Sequence, residues 1–114
     1  MDHPVYKPLG NFVELKAFDF TDAISIHDAI CELPHEKEKE ILKYLEKGRE
    51  YIFKMGLYFD IIGKNHKDIT GYGSFITDEI WEWRDDLPYY IRKYHVRLSD
   101  EFMTYLEEKN WGNS

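Results

Sequence analysis

The chain has one cysteine, Cys31, among its 114 residues, so it cannot close an internal disulfide. That points to a reducing compartment rather than a secreted, disulfide-stapled domain. Glycine and proline are scarce, at 7 and 4, which excludes collagenous and low-complexity chains. No apolar run approaches the roughly 18 residues that would suggest a membrane span. The opening Met1-Asp2-His3-Pro4-Val5-Tyr6 has neither the charged nor the apolar region of a signal peptide, and the cytoplasm is the expected location. Positive charge is short as well. Lys and Arg total 15 against 22 Asp and Glu, a net charge of −7. A nucleic-acid binder needs a cationic footprint, so that balance argues against one. It suits a protein whose partner is basic.

Motifs for bound groups are missing too. The five histidines (His3, His27, His35, His66 and His95) are scattered, and no C-x-x-C, H-E-x-x-H or EF-hand loop occurs, so no metal site is expected. Gly71-Tyr72-Gly73 lacks the third glycine and following helix of a dinucleotide motif; it reads instead as a bulge or a close backbone contact. His27 and Cys31 have the spacing of one helix face, but a nucleophile pair also needs an orienting group and an oxyanion hole, and neither can be named. No cofactor and no catalytic residue are expected.

What is present is aromatic: 17% of the chain is Phe, Trp or Tyr. The expected fold is a single α/β (α+β) domain over residues 1–114, with a small, mainly antiparallel sheet packed by N-terminal and C-terminal helices. Phe12-Val13-Glu14-Leu15 can pair at a sheet edge. A first helix should open near Asp19 or Thr21, good N-cap types, and carry Ala23, Ile26, Ile30 and Leu33 at helical spacing. A second should run from Pro34 or His35 to Lys47, with Ile41, Leu42 and Leu45 inward and Gly48 as a left-handed cap.

From Tyr51 the period becomes strand-like. Residues 51–55, 57–62, 71–77 and 80–83 are rich in β-branched and aromatic types. Asp78-Glu79 would be a hairpin turn, with a helix over 78–84 as the alternative. Two helices close the chain. One starts at Asp86 or Leu87 and ends at His95; the other is capped by Ser99, with Phe102, Met103 and Leu106 inward.

The segment Asp78 to Asp86 stands out. Its five carboxylates and one arginine leave it at −4. On a strand, Trp81 and Trp83 share one side and Ile80 and Glu82 the other. The tryptophans either anchor the core or, with the acids as rim, form a partner-binding surface of Asp78, Glu79, Trp81, Glu82, Trp83, Asp85, Asp86 and Tyr89; both roles can coexist. Paired-carboxylate catalysis is disfavoured, because nothing splits the environments of Asp85 and Asp86.

Residues 44–106 carry a recognisable order: Thr77-Asp78-Glu79-Ile80-Trp81-Glu82-Trp83, then Leu87-Pro88-Tyr89-Tyr90 with Tyr94-His95-Val96, then Leu98-Ser99-Asp100-Glu101-Phe102. This resembles a group of small bacterial proteins with a T-D-G-x-W-x-W-P, L-x-Y-Y-x-x-x-Y-H-V, L-P-x-E-F pattern. It is also similar to immunity proteins of contact-dependent and other polymorphic toxin systems. The chain departs from the pattern with Glu79 for Gly, Arg84 for Pro and Ser99 for Pro. The resemblance implies binding rather than catalysis: an immunity protein that neutralises a cognate toxin, a basic nuclease (RNase) for example, by occluding its active or substrate-binding surface. The competing readings are a small ligand-binding protein or enzyme with a pocket under the aromatics, and a self-associating structural protein.

Overall fold

The computed structural model describes residues 6–16, 18, 23–53, 56–63 and 67–112. Its elements, in chain order, are β1 (Lys7–Pro8), α1 (Glu38–Glu46), β2 (Arg49–Phe53), β3 (Tyr58–Phe59), β4 (Ile69–Gly71), β5 (Ser74–Thr77), β6 (Trp81–Arg84), α2 (Leu87–Tyr94) and α3 (Asp100–Glu108). Four strands form a mixed sheet in the order β1-β6-β5-β2, and β3 and β4 make a separate antiparallel ribbon. The result is the α+β fold the composition implied, mainly antiparallel, with β1 running parallel to β6.

The β5–β6 hairpin is the centre of the sheet, and its turn is built by side chains. Asp78 Oδ1 accepts from the N–H groups of Ile80 and Trp81, and Thr77 Oγ1 donates to the Trp81 carbonyl. The turn therefore closes over Glu79-Ile80, one residue beyond the expected Asp78-Glu79. Glu79 takes the left-handed conformation there, with φ of 79°. This is the position at which the resembling pattern has glycine, the residue that adopts such a φ without steric cost. Beyond the turn, β6 alternates as a strand must: Trp81 and Trp83 enter the main core, while Glu82 and Arg84 project to the opposite face.

The core is one cluster, in which Leu9, Ile26, Ile41, Trp83, Leu87 and Phe102 meet side chains from every part of the chain. α1 contributes Ile41 and Leu45, one turn apart. α2 contributes Leu87, Tyr90 and Ile91 and ends at His95, which donates its N–H to the Ile91 carbonyl at 3.0 Å and turns the chain away in a left-handed conformation. α3 is capped as expected, with Ser99 Oγ accepting from Phe102 N–H at 3.3 Å, and it packs Phe102 edge-on against Trp81 at 5.2 Å.

Several expectations fail for identifiable reasons. The first helix is absent among the described residues, and Asp19 and Thr21 lie outside them. Ile24 instead pairs with Phe12, and Ser25 opens a single 3-10 turn over Ile26–Asp28. The Glu14 carboxylate competes for this segment, accepting from Ser25 Oγ at 2.6 Å and from Ile26 N–H at 2.7 Å. Farther on, the Ala29 carbonyl accepts from Arg97 N–H and Cys31 N–H donates to the Tyr94 carbonyl. The backbone that a helix would need is thus spent on tertiary bonds. Leu33, expected inward, is 74% exposed. His27 and Cys31 consequently share no helix. The expected edge strand at 12–15 is instead a 3-10 turn, Val13–Leu15, following the Phe12 bridge. α1 starts late because His35 Nδ1 accepts from Lys37 N–H at 2.9 Å, folding 35–37 into a turn.

Gly48 is no left-handed cap, since the preceding Lys47 closes the helix in right-handed geometry. Glycine is required there by crowding. A Cβ would lie 2.5 Å from Ile76 Cγ2 and 2.7 Å from Trp83 Cζ2. Gly48→Ala is therefore expected to cost about 1–3 kcal/mol by overpacking, measurable by urea denaturation. A stability equal to the parent's would mean that the α1–β2 corner can shift away from Trp83.

Candidate functional site

The segment that the sequence marks as a surface is mostly structure. Trp81 and Trp83 are 3% and 1% exposed and belong to the core, and Asp86 is fully buried, so none of the three forms the outer surface expected of them. The acids beside them have internal duties. Asp78 caps the hairpin turn and accepts a hydrogen bond from Tyr44 Oη. Burial, and then this carboxylate, push the Tyr44 phenol far above its ordinary range. Asp85 Oδ2 accepts from Tyr72 N–H at 2.9 Å. It sits so close to β4 that a Cβ on Gly71 would lie 2.3 Å from its other oxygen, the close backbone contact read into the Gly71-Tyr72-Gly73 run. Glu82 is half-buried, and its burial raises its pKa. Glu79 is the one member of the predicted set that is exposed rather than partly or fully buried; its carboxylate bonds Arg49, which together with Tyr6 holds its pKa low. Tyr89 is half-buried, and its hydroxyl is engaged by Asp60.

The lone basic residue of the segment is buried too. Arg84 stacks 3.6 Å over the Tyr58 ring, donates to the Leu15 carbonyl, and holds Asp86 Oδ2 at 2.8 Å. Burial raises the Asp86 pKa to about 6 despite the opposing pull of Arg84. The strong local charge of 78–86 is therefore largely neutralised or turned inward.

The β3–β4 ribbon carries the most unusual surface. Alternation would place Leu57 and Phe59 inward and Asp60 outward, but the ribbon is turned the other way. Asp60 is 1% exposed, while Leu57, Phe59 and Ile69 are 50%, 42% and 46% exposed. Phe59 and Ile69 are cross-strand partners, and Leu57 directly precedes β3. Tyr72 and Phe53, on the neighbouring segments, are 61% and 60% exposed. An outward apolar face on a small ribbon is the reverse of the ordinary solvated face of an antiparallel sheet.

The inversion is held by a polar clamp. Asp60 Oδ2 accepts from Tyr94 Oη at 2.6 Å and Tyr89 Oη at 2.8 Å, and Oδ1 accepts from the N–H groups of Ile62 and Gly63, each at 2.8 Å. Lys93 Nζ lies 3.4 Å from the same carboxylate and 3.2 Å from Asp68. Burial opposes the charge on Asp60, but these hydrogen bonds outweigh it and hold the carboxyl far below its usual range. The sequence held a signal for this, since a strand reading Leu-Tyr-Phe-Asp ends in a carboxylate where three tyrosines and a lysine wait on one turn-and-a-half of α2. It could not show which side of the ribbon faced them.

Exposed carboxylates gather elsewhere. Asp100, Glu101, Glu107 and Glu108 are all exposed on α3, with Thr104 between them; of these, Glu101 is paired with Lys7 at 2.6 Å. Among the described residues no cluster of three or more His, Cys, Asp or Glu is placed to hold a metal ion, and no helix is long and apolar enough to cross a membrane. Comparison of the chain with family models, with curated proteins and with solved structures gives no match.

Proposed function

We propose that the chain is an immunity protein, a binding protein that neutralises a cognate toxin domain of basic character, such as an RNase, by covering its active or substrate-binding surface. The observation that carries this reading is the outward apolar face of the β3–β4 ribbon on a chain of net charge −7. Half-exposed Leu57, Phe59 and Ile69, with exposed Tyr72 and Phe53 on the segments adjoining in sequence, supply the apolar and aromatic contact from which hot spots are built. Exposed carboxylates, those of α3 included, steer a cationic partner toward the molecule and speed its capture at low salt. The pattern over residues 77–102 supports the same class. In this reading Trp81 and Trp83 hold the scaffold, and the contact passes to the ribbon.

Co-expression tests the proposal. The chain is expected to restore growth to cells making the toxin domain encoded beside its gene. If no such neighbour is toxic, or its toxicity is not relieved, the immunity reading fails. The ribbon's role is tested separately by replacing Leu57, Phe59 and Ile69 together with serine. Each side chain has about half its area still to bury, worth roughly 1 kcal/mol apiece, so the triple variant is expected to bind about 100-fold more weakly with an unchanged circular dichroism spectrum. Binding at parental strength would place the contact on another face.

A further inference from the structure

The ribbon is moored a second time by Arg84, Asp85 and Asp86, where β6 runs into α2. Arg84 lies over the Tyr58 ring of β3 at 3.6 Å, and Asp85 Oδ2 accepts from Tyr72 N–H, just beyond β4, at 2.9 Å. Gly71 of β4 is pressed against both aspartates: a Cβ on it would collide with Asp85 Oδ1 and lie 3.0 Å from Asp86 Cβ. The ribbon is thus part of the cover that keeps water from Asp86, which is fully buried.

This mooring is one proton short. It sets two carboxylates against one guanidinium, whose Nη2 donates to Asp86 Oδ2 at 2.8 Å. Asp86 Oδ1 and Asp85 Oδ1 are both buried and have no hydrogen-bond donor among the described residues; Arg84 Nε, unpartnered too, reaches neither oxygen. Asp86 also occupies the N-cap position of α2, where an aspartate ordinarily accepts a backbone N–H, yet its side chain caps nothing. A buried acceptor without a donor is costly, and a buried charge without a partner more so. One proton on Asp86 Oδ1 removes the surplus charge, leaves Oδ2 accepting from Arg84, and turns an orphan acceptor into a donor. The other ionisable groups facing Asp86 stay out of the exchange. Tyr58 from β3 and Tyr90 from α2 are phenols whose pKa burial raises, that of Tyr90 to about 12, so both remain neutral.

We propose that this junction is a proton-operated catch on the ribbon: in mild acid Asp86 takes a proton from solvent onto Oδ1 and β3 and β4 are held closed, and at higher pH it gives the proton up and the ribbon opens more often. Burial, outweighing Arg84, lifts the Asp86 pKa to about 6, which sets the working window just below neutrality. When the ribbon opens, water reaches the carboxyl, and its proton affinity falls toward the ordinary value near pH 4. By linkage the opening equilibrium then rises with pH, about tenfold between about pH 5 and pH 7 and little above. Asp60, whose carboxyl is held low, acts only at more acid pH and leaves this window clear. The catch rests on the contacts of the junction and would stand if the immunity reading fell. Amide hydrogen exchange on the full chain, corrected for the intrinsic pH dependence of exchange, tests it. Protection of the Asp60 and Tyr72 amides, bonded to the Asp68 carbonyl and to Asp85, is expected to fall about tenfold from about pH 5 to pH 7. In Asp86→Asn, which is uncharged at every pH, it is expected to be equal at both. Should that variant not fold, carbon NMR of the Asp86 carboxyl in the parent decides, with a midpoint expected at about 6. The proposal is overturned if that carboxyl titrates in the ordinary range near pH 4, if ribbon protection in the parent is the same at both pH values, or if Asp86→Asn shows the parental fall.

Discussion

Replacing Arg84 by methionine is expected to destabilise the protein by about 3–5 kcal/mol at neutral pH, the scale for leaving a buried charge without its partner. The substitution keeps most of the apolar stem but removes the guanidinium stacked on Tyr58 and strands Asp86, which is fully buried and has Arg84 as its ion-pair partner. Even in the parent, burial lifts the Asp86 pKa to about 6. A carboxyl whose folded pKa is raised favours the folded state while it is protonated, and that contribution is lost as pH rises through the folded value. With Arg84 gone the pKa climbs further, so the loss in Arg84→Met should shrink at about pH 5, where Asp86 takes up a proton. The pair as a whole is a different matter. Arg84→Met combined with Asp86→Leu removes both charges and should recover much of what the single change loses. Urea denaturation of the three proteins at two pH values measures all of this. A loss under about 1 kcal/mol for Arg84→Met at neutral pH would show that water reaches Asp86, contrary to its burial.

The second large effect lies at Asp60. Asp60→Asn preserves shape but replaces one accepting oxygen with a donor, so the Tyr89 and Tyr94 hydroxyls or the Ile62 and Gly63 amides lose their acceptor. The expected cost is about 2–4 kcal/mol, from hydrogen bonds to a charged group and the donors left unmade. The pH dependence runs opposite to that of Asp86. A carboxyl with a depressed folded pKa contributes stability above its unfolded value, near pH 4, and loses it as pH falls toward the folded one. The parent should therefore weaken in acid, and Asp60→Asn should weaken much less. Hydrogen exchange adds a local readout: amides of β3 and β4 should lose protection in the variant before those of β5 and β6. A variant within about 0.5 kcal/mol of the parent at neutral pH would mean that the clamp is not what orients the ribbon.

Much of the fold was legible in the sequence because local rules and tertiary packing agree there. Ser99 caps α3, His95 ends α2, and the Trp81/Trp83 alternation puts two rings on one side of β6, all from spacing alone. Several of the failures share one cause. Wherever a polar side chain reaches far along the chain to claim backbone or charge, periodicity misleads. Glu14 captures Ser25 and Ile26, inside the expected first helix; Asp60, gathered by tyrosines about thirty residues away, turns the ribbon over; Arg84, anchored on the distant Leu15 carbonyl, holds Asp86 out of solvent. Part of the candidate surface, Trp81, Trp83 and Asp86, is buried for a related reason. Counting charges over 78–86 cannot reveal that these acids cap turns and balance a buried guanidinium, nor that two apolar side chains of a half-polar strand face outward.

The parallel pairing of β1 with β6 carries a consequence for how the molecule is made. Lys7 lies opposite Trp81, and its N–H bonds the Ile80 carbonyl at 2.9 Å. Of the described strands, the earliest to be synthesised is thus paired with the latest, at a border of the sheet. The β5–β6 hairpin, closed by local bonds, can form as soon as it emerges, whereas closing the long loop back to β1 must wait until β6 has been made. Until then Leu9, which is buried in the finished core, stays without its place. β1 is the final stave fitted to the sheet, and a nascent chain stalled before Trp81 would leave it unlatched.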